Sequence, residues 1–385
     1  MSCNVRMKKI ELIEYTRILR NIVIAFGILC IMMGLYNFES YAATSFKKTK
    51  PVGVMSTSVD GTIVLTWEPL KNADGYRIYE ALPNGKYKLV SQTKSCKMLL
   101  KGKAKGITYR YYIRAYKNTS KGKKQYSKQS KKVSVHVAEE GVSTVKNFLQ
   151  TAIAPIGSTM YVWGGGWNKA DTAAGREAKT VGLSFGWRDF AKNKTASYDY
   201  NNYRYQIHNG LDCSGYVGWC VYNVMNTSNN KEGYVYSASK QAKKFSEMGF
   251  GNYRTSSKVH NYKAGDIMSS TCSCCGHVWI VIGECDDGSV VLVHASPPGV
   301  QLSGTPTLEG KKNSQAYRLA KKYMKKYYKS WYKKFPEVRK GSSYLSHYGQ
   351  MRFKTSGDDV ILSDPDGYQQ MSAKEVLKDL FKTVK

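Results

Sequence analysis

The stretch from Leu211 to Met225, Leu-Asp-Cys-Ser-Gly-Tyr-Val-Gly-Trp-Cys-Val-Tyr-Asn-Val-Met, constrains the chain more than any other. Val217, Val221 and Val224 recur at helical spacing with the small residues Ser214, Gly215 and Gly218 among them, so the stretch reads as a buried helix around which other elements must pack. Cys213 follows the capping-type residue Asp212 and therefore sits at the helix start. There, unpaired N–H groups and the positive end of the helix dipole favour a thiolate. The alternative is a small thiol packed in a core helix. Histidines further along the chain decide between the two.

The formal charge of +31 on 385 residues exceeds what solubility needs and points to an anionic environment: nucleic acid, a membrane surface or a phosphate-rich wall polymer. The N-terminus narrows that choice. Arg6, Lys8, Lys9, Arg17 and Arg20 precede an apolar run from Asn21 to Phe38, and small residues follow up to Ala43. Residues 1–43 therefore read as an export signal, cut after Ala42, or as an uncleaved membrane anchor. Either way the remainder faces outward and is secreted or wall-associated. Nucleic acid is then not expected as a partner, and anionic wall polymers or the membrane surface are. Without the leader, Cys96, Cys213, Cys220, Cys272, Cys274, Cys275 and Cys285 remain, an odd number in a compartment that permits disulfides.

Residues 44–52 are a polar linker. From 53 to 137 short alternating segments (Gly61 to Trp67, Gly75 to Glu80, Tyr87 to Ser91, Ile107 to Tyr116, Lys132 to Val137) are separated by turn residues such as Pro83-Asn84-Gly85, the pattern of an all-β sandwich. Leu65-Thr66-Trp67, Gly75-Tyr76-Arg77-Ile78-Tyr79 and the run Thr108 to Tyr116 resemble a bacterial fibronectin type III module. The resemblance makes Trp67 the core tryptophan and Tyr109 the corner tyrosine, both structural. The module has no acid–base pair and is expected to act as a spacer or wall contact.

From 138 the texture changes. Val142 to Ile153 reads as an amphipathic helix capped by Ser143 and ended by Pro155. Met160 to Gly166 is strand-like and runs into glycines where backbone must approach something closely. Residues 167–209 form a long aromatic and polar insertion, a lid or a specificity wall. Ser237 to Met248 reads as a helix. Gly276 to Gly283 and Ser289 to His294 read as the two arms of a hairpin. Residues 297–385 form a basic, helical C-terminal extension: Ser314 to Phe335 carries Leu319, Tyr323, Tyr327 and Trp331 on one face, either a packing face or a membrane-surface helix. Ser372 and Glu375 then open a final helix to Phe381 in capping-box spacing.

A thiolate needs a base within hydrogen-bond reach, and the base needs an orienter. His277 and His294 lie on opposite arms of the hairpin. With a four-residue loop, Cys285 to Gly288, His294 faces Trp279 and stands diagonally beside His277, roughly 7–8 Å away at the backbone. A two-residue turn would move the two imidazoles out of reach.

Tyr161-Val162-Trp163-Gly164-Gly165, Asp212-Cys213-Ser214-Gly215-Tyr216-Val217 with Trp219, Gly265-Asp266-Ile267, Gly276-His277-Val278 and His294-Ala295 together resemble the NlpC family of papain-like cell-wall peptidases. The resemblance implies an α+β cysteine peptidase domain over 138–385, behind the sandwich. It implies hydrolysis of peptidoglycan stem peptides between D-glutamate and the diamino acid, with no cofactor and no catalytic metal. Cys213 would be the nucleophile, His277 the base and then the acid, His294 its orienter, and Tyr161 a neighbour of the oxyanion. Asp212, Ser214 and Trp163 would contact substrate, with Asp212 read equally well as a helix cap.

Two features depart from that family. One is the 167–209 insertion, which keeps open an amidase or acyltransferase acting on another substrate. The other is Cys272-Ser273-Cys274-Cys275 just before His277, read as disulfide-braced, for instance to Cys285 or Cys220, or as a zinc site with Cys285 that would consume the histidine. A non-enzymatic wall-binding protein is the remaining alternative.

Overall fold

The computed structural model describes residues 45–225, 232–271 and 276–382. The signal or anchor read at 1–43 lies outside the described residues, as do Cys272, Cys274 and Cys275. The chain divides into two compact units, Met1–Thr49 and Lys50–Lys385. In the first, the described residues hold a 3-10 turn, Phe46–Lys48; the second carries all that follows. Among the described residues no helix is long and apolar enough to cross a membrane.

Eight strands build the N-terminal sandwich: β1 (Met55–Val59), β2 (Thr62–Thr66), β3 (Gly75–Ala81), β4 (Tyr87–Thr93), β5 (Lys97–Leu100), β6 (Ile107–Asn118), β7 (Lys124–Tyr126) and β8 (Val133–Val137). One sheet has the order β1-β2-β5 and the other β4-β3-β6-β7, with β8 also paired to β6. This is a fibronectin type III-like arrangement. Alternation drives it: along β6, Tyr111, Ile113 and Ala115 are fully buried while Arg110, Tyr112 and Arg114 face outward. Trp67 packs edge-on against Tyr76 with ring centroids 5.2 Å apart. The Tyr109 hydroxyl accepts the Ala104 N–H at 3.0 Å, tying the entry of β6 back to the preceding loop.

Sequence alternation does not reveal β1, and the structure gives the reason: Met55, Ser56, Thr57 and Ser58 are all buried. β8 of the facing sheet, whose Ser134 and His136 carbonyls accept the Ser56 and Ser58 hydroxyls, covers one side, and the helices of the following region cover the other. The expected boundary at Val137 is therefore not a physical seam. Met55 belongs to the core of the C-terminal region. The Arg188 guanidinium pairs with Glu68 at 2.6 Å, and a Cβ on Gly182 would stand 2.5 Å from the Thr66 hydroxyl oxygen. The linker read at 44–52 likewise ends bonded to the sandwich, its Val52 carbonyl accepting the Glu68 N–H.

The C-terminal region is α+β. In chain order come β9 (Ser143–Thr144), α1 (Val145–Ile153), β10 (Met160–Tyr161), α2 (Phe185–Lys192), β11 (Gly210–Leu211), α3 (Cys213–Met225), α4 (Gln241–Glu247), β12 (Gly251–Arg254), β13 (Ile267–Ser270), β14 (Val278–Glu284), β15 (Val290–Ser296) and β16 (Gly299–Gly304). They are followed by α5 (Gln315–Tyr327), α6 (Lys329–Lys334), α7 (Ser343–Ser346), β17 (Tyr348–Phe353), β18 (Leu362–Ser363) and α8 (Ala373–Leu380). The central sheet has the order β11-β10-β16-β15-β14-β13-β17-β12. Residues 297–385 are thus no mere helical extension, because β16 and β17 are interior strands of this sheet.

Three local expectations shift. The cap of α1 is Thr144, whose hydroxyl accepts the Asn147 N–H at 3.0 Å, while Ser143 pairs in β9 with β18. The run from Ser314 breaks at Tyr328, whose backbone leaves the helical region, and the stripe that buries completely is Ala316, Ala320 and Met324. The aromatic face beside it stacks Tyr323 and Tyr327 on Phe381, at 5.0 and 4.6 Å, so it is a packing face. Finally, the 167–209 insertion is anchored by Trp187, which is buried edge-on against Trp219 of α3. The capping box of Ser372 and Glu375 on α8 is formed.

Candidate active site

The start of α3 is fixed from three sides. Asp212 caps it, one carboxylate oxygen accepting the Gly215 N–H at 2.7 Å and the Ser214 hydroxyl at 2.9 Å. Trp167 donates its indole N–H to the same Ser214 oxygen at 3.0 Å, so the hydroxyl read as a substrate contact is engaged inside the fold both as donor and as acceptor. Gln241 of α4 holds the Ser214 carbonyl. The glycines after Trp163 explain themselves here: Gly166 has φ +94°, and a Cβ on it would meet the Gly215 Cα at 2.5 Å. Only bare backbone lets the 164–166 turn lie on the first turn of α3.

Cys213 is thereby presented at the helix N-terminus, 7 % exposed, with its sulfur 4.0 Å from the Gly276 carbonyl oxygen. The Val278 N–H also faces the thiol, so the backbone on both sides of His277 reaches Cys213. His277 Nε2 lies 2.8 Å from His294 Nδ1, and His294 Nε2 lies 3.1 Å from the Ser303 hydroxyl on β16. The bond to His294 thus uses Nε2 of His277 and not Nδ1. Ser303, His294 and His277 form a line across three consecutive strands that ends beside Cys213.

The register that aligns the histidines arises differently from the four-residue loop. Near the turn Glu284 pairs with Val290, which makes the loop one residue longer, Cys285 to Ser289. A bulge at Ile282 absorbs the extra residue, and Ile280 then pairs with Val293, so His294 returns to the place opposite Trp279.

Burial dominates the site's electrostatics. It pushes the Cys213 thiol up to about 12, aided by the Asp212 carboxyl and opposed by the N–H groups of Val278, Ser214 and Cys213 itself. The helix terminus thus lowers the thiol's pKa, as expected, but less than desolvation raises it. Burial and the Lys340 ammonium push His277 down to about 3, and His294 falls well below its usual value for the same reasons, with His277 as a further cause. Asp212 is raised to about 7, chiefly by burial. These directions leave Cys213 a thiol and His277 a neutral imidazole at neutral pH.

Tyr161 is buried on β10, with Cys213 and Asp212 as its nearest ionisable influences after burial, and it packs edge-on against Tyr200 of the insertion at 5.3 Å. The hydroxyl of Tyr198 donates to its carbonyl at 2.7 Å, so the insertion braces this strand as a fixed wall. Trp163 is 41 % exposed at the rim, with the Arg204 guanidinium 4.7 Å above its ring.

Sequence reasoning missed three residues. Ser303 closes the histidine line. Tyr344 on α7 covers it, 5.7 Å from the His277 ring and 6.2 Å from that of His294. Lys340, itself pushed down to about 8 by burial, supplies the nearby positive charge. Their stretches carry no motif. A Ser303 signal existed only in its place two residues beyond Gln301, the partner of His294 in the β15–β16 pairing.

Cys285 cannot share a zinc ion with His277. The two stand at opposite ends of β14, roughly 25 Å apart at strand rise. Among the described residues Cys220 and Cys285 are buried and pair with no other cysteine, and no cluster of metal-binding side chains occurs; the disulfides expected from the 272–275 loop lie outside the described residues.

No family model matches the chain, and no curated protein matches it. Among solved structures, a Fn3-like protein from Clostridium thermocellum aligns at 23 % identity over 22 % of this chain and 88 % of its own, with a TM-score of 0.19. A fibronectin type III domain derived from a human protein aligns at 16 % identity over 26 % of this chain and 81 % of its own, with a TM-score of 0.21.

Proposed function

We propose that this protein is an exported, papain-like cysteine peptidase of the NlpC type that hydrolyses amide bonds in peptidoglycan stem peptides, between D-glutamate and the diamino acid. The observation that carries the reading is the line Ser303–His294–His277, set beside a helix-start cysteine whose sulfur meets the backbone on either side of His277.

In this reading the Cys213 thiol gives its proton to His277 Nδ1 as sulfur attacks the scissile carbonyl carbon. The tetrahedral oxyanion accepts hydrogen bonds from the Cys213 N–H and the Tyr161 hydroxyl. His277 then protonates the departing amine, leaving a thioester. A water molecule gives its proton to His277 and attacks that thioester; the released thiolate recovers the proton. His294, held by Ser303, fixes the tautomer that leaves Nδ1 free. Asp212 orders the helix turn that aims Cys213.

A second reading, an amidase or acyltransferase of the same mechanism on another substrate, draws on the fixed aromatic wall that the insertion raises beside Tyr161. Mass analysis of the fragments released from purified peptidoglycan tests both. New termini at D-glutamate and the diamino acid are the expected result; cleavage elsewhere favours the second reading.

A further inference from the structure

Lys340 comes to the site on a segment that the catalytic steps do not use. The chain from Val338 to Lys340 runs beside β16: the Val338 carbonyl accepts the Gly304 N–H and the Lys340 N–H donates to the Gly304 carbonyl, both at 2.9 Å, which sets Arg339 level with Gly304. Successive side chains of an extended chain point to opposite faces. Arg339 takes the face covered by α5, its guanidinium 4.3 Å above the Tyr317 ring. Lys340 is therefore turned to the other face of the sheet, the one on which Ser303 meets His294 and His294 meets His277. Tyr344, four residues further on, packs against both imidazoles, so this segment follows the histidine line.

The charge at the end of this side chain has no partner. Among the described residues the Lys340 ammonium forms neither an ion pair nor a hydrogen bond. Glu337, the carboxylate whose field acts on it, gives an oxygen to the Arg339 N–H at 2.5 Å. Lys340 is half-buried, and its ammonium, unlike the sealed Nε of Arg339, keeps contact with solvent. Burial holds it near about 8, so it is still charged at neutral pH, and both histidines feel that charge. An unpaired cation there opposes the imidazolium that the reaction must form, and an anion brought by the substrate would remove the opposition.

His277 protonates the departing amine in the mechanism proposed above, so groups placed along the histidine line beyond His277 meet the residue that leaves. We propose, resting on that reading, that Lys340 is a specificity-determining residue that binds a carboxylate of the amine-side residue, selecting stem peptides whose diamino acid keeps a free carboxylate over those in which it is amidated. A partly desolvated ammonium gains a charge-assisted bond from a carboxylate and only a neutral one from a carboxamide of the same shape. The site then has two unlike sides, an aromatic wall at Tyr161 raised by the insertion and a single cation beyond the histidines.

Isothermal titration calorimetry of the full chain carrying Cys213→Ala, which removes turnover, provides the test with two probes: L-alanyl-γ-D-glutamyl-L-lysine and its C-terminal carboxamide. The free acid should bind about tenfold more tightly than the amide. Adding Lys340→Met should make the two affinities equal, while Lys340→Arg, which keeps the charge, should retain the preference. Lys322→Met, which removes the same charge from the exposed side of α5, should also retain it. Because each comparison is a ratio of two ligands on one protein, a partly unfolded variant does not distort it. Equal affinities before Lys340 is changed, a preference that survives Lys340→Met, or no binding of either peptide would overturn the proposal. A preference lost in Lys340→Met, together with no cleavage of either peptide by the protein with Cys213 intact, would leave the carboxylate site standing and overturn the peptidase reading alone.

Discussion

In the sandwich, the charged and aromatic side chains meet at the surface: Arg77 and Arg114 lie over Tyr126, Lys124 over Tyr116, and Lys132 over Tyr87. Across the junction the opposite arrangement holds. Asp212, Cys213, His277 and His294 are brought together out of water, on a helix end and two strands that have little freedom to relax. Exposed cation–π contacts add modest stability and perturb little. Buried ionisable groups cost stability and are kept where their chemistry is used. The two regions nevertheless share a core through Met55, so the difference between them is chemical rather than mechanical.

The largest expected effect falls on one side of that divide. His277→Ala should lower peptidoglycan fragment release by about three orders of magnitude or more, and His294→Ala by about two. Ser303→Ala, which leaves His294 buried without its partner, should cost about three- to tenfold. Equal losses for all three would break the assigned line of decreasing closeness to the thiol. Tyr109→Phe in the sandwich, by contrast, should leave fragment release unchanged.

The shared core is tested by Met55→Ala. Removing this side chain should destabilise the protein by about 2–4 kcal/mol and lower a single cooperative melting transition. Two transitions in calorimetry, with only the first shifted, would mean that the sandwich unfolds as a separate module.

A pH profile of thiol reactivity sharpens the electrostatic contrast. Because burial raises the Cys213 thiol to about 12 while lowering His277 to about 3, both are neutral between those values, and the thiolate fraction grows with pH throughout that window. Alkylation of Cys213 by iodoacetamide should therefore rise about tenfold per pH unit from 6 to 9. A plateau in that range would indicate a preformed thiolate–imidazolium pair.

Much of this arrangement is legible in the residues because it rests on local rules. The capping box at Ser372 and Glu375, the corner bond of Tyr109 and the close approach demanded by Gly166 each follow from short-range geometry. The pairing of His277 with His294 is legible too, though by another path: the loop is a residue longer than the simplest hairpin, and the bulge at Ile282 restores the register. Bulges carry no sequence mark here.

Residues that reach the site through the tertiary fold are not legible. Ser303 comes on a strand that follows two prolines, and Lys340 and Tyr344 come from a lysine- and tyrosine-rich stretch that looks like solvated surface. β1 is hidden for a related reason, since burial on both faces erases alternation. The environment of Cys213 is the instructive case. Its place at a helix N-terminus argues for a low pKa, and the desolvation that reverses the argument exists only once the strands close over it.

The most direct measurement compares the parent protein with Cys213→Ala on purified peptidoglycan, following soluble fragments by mass spectrometry while wall binding is recorded in parallel. The parent should release stem-peptide fragments, and the variant should release none while binding the wall equally. Equal fragment release by the two proteins would contradict it.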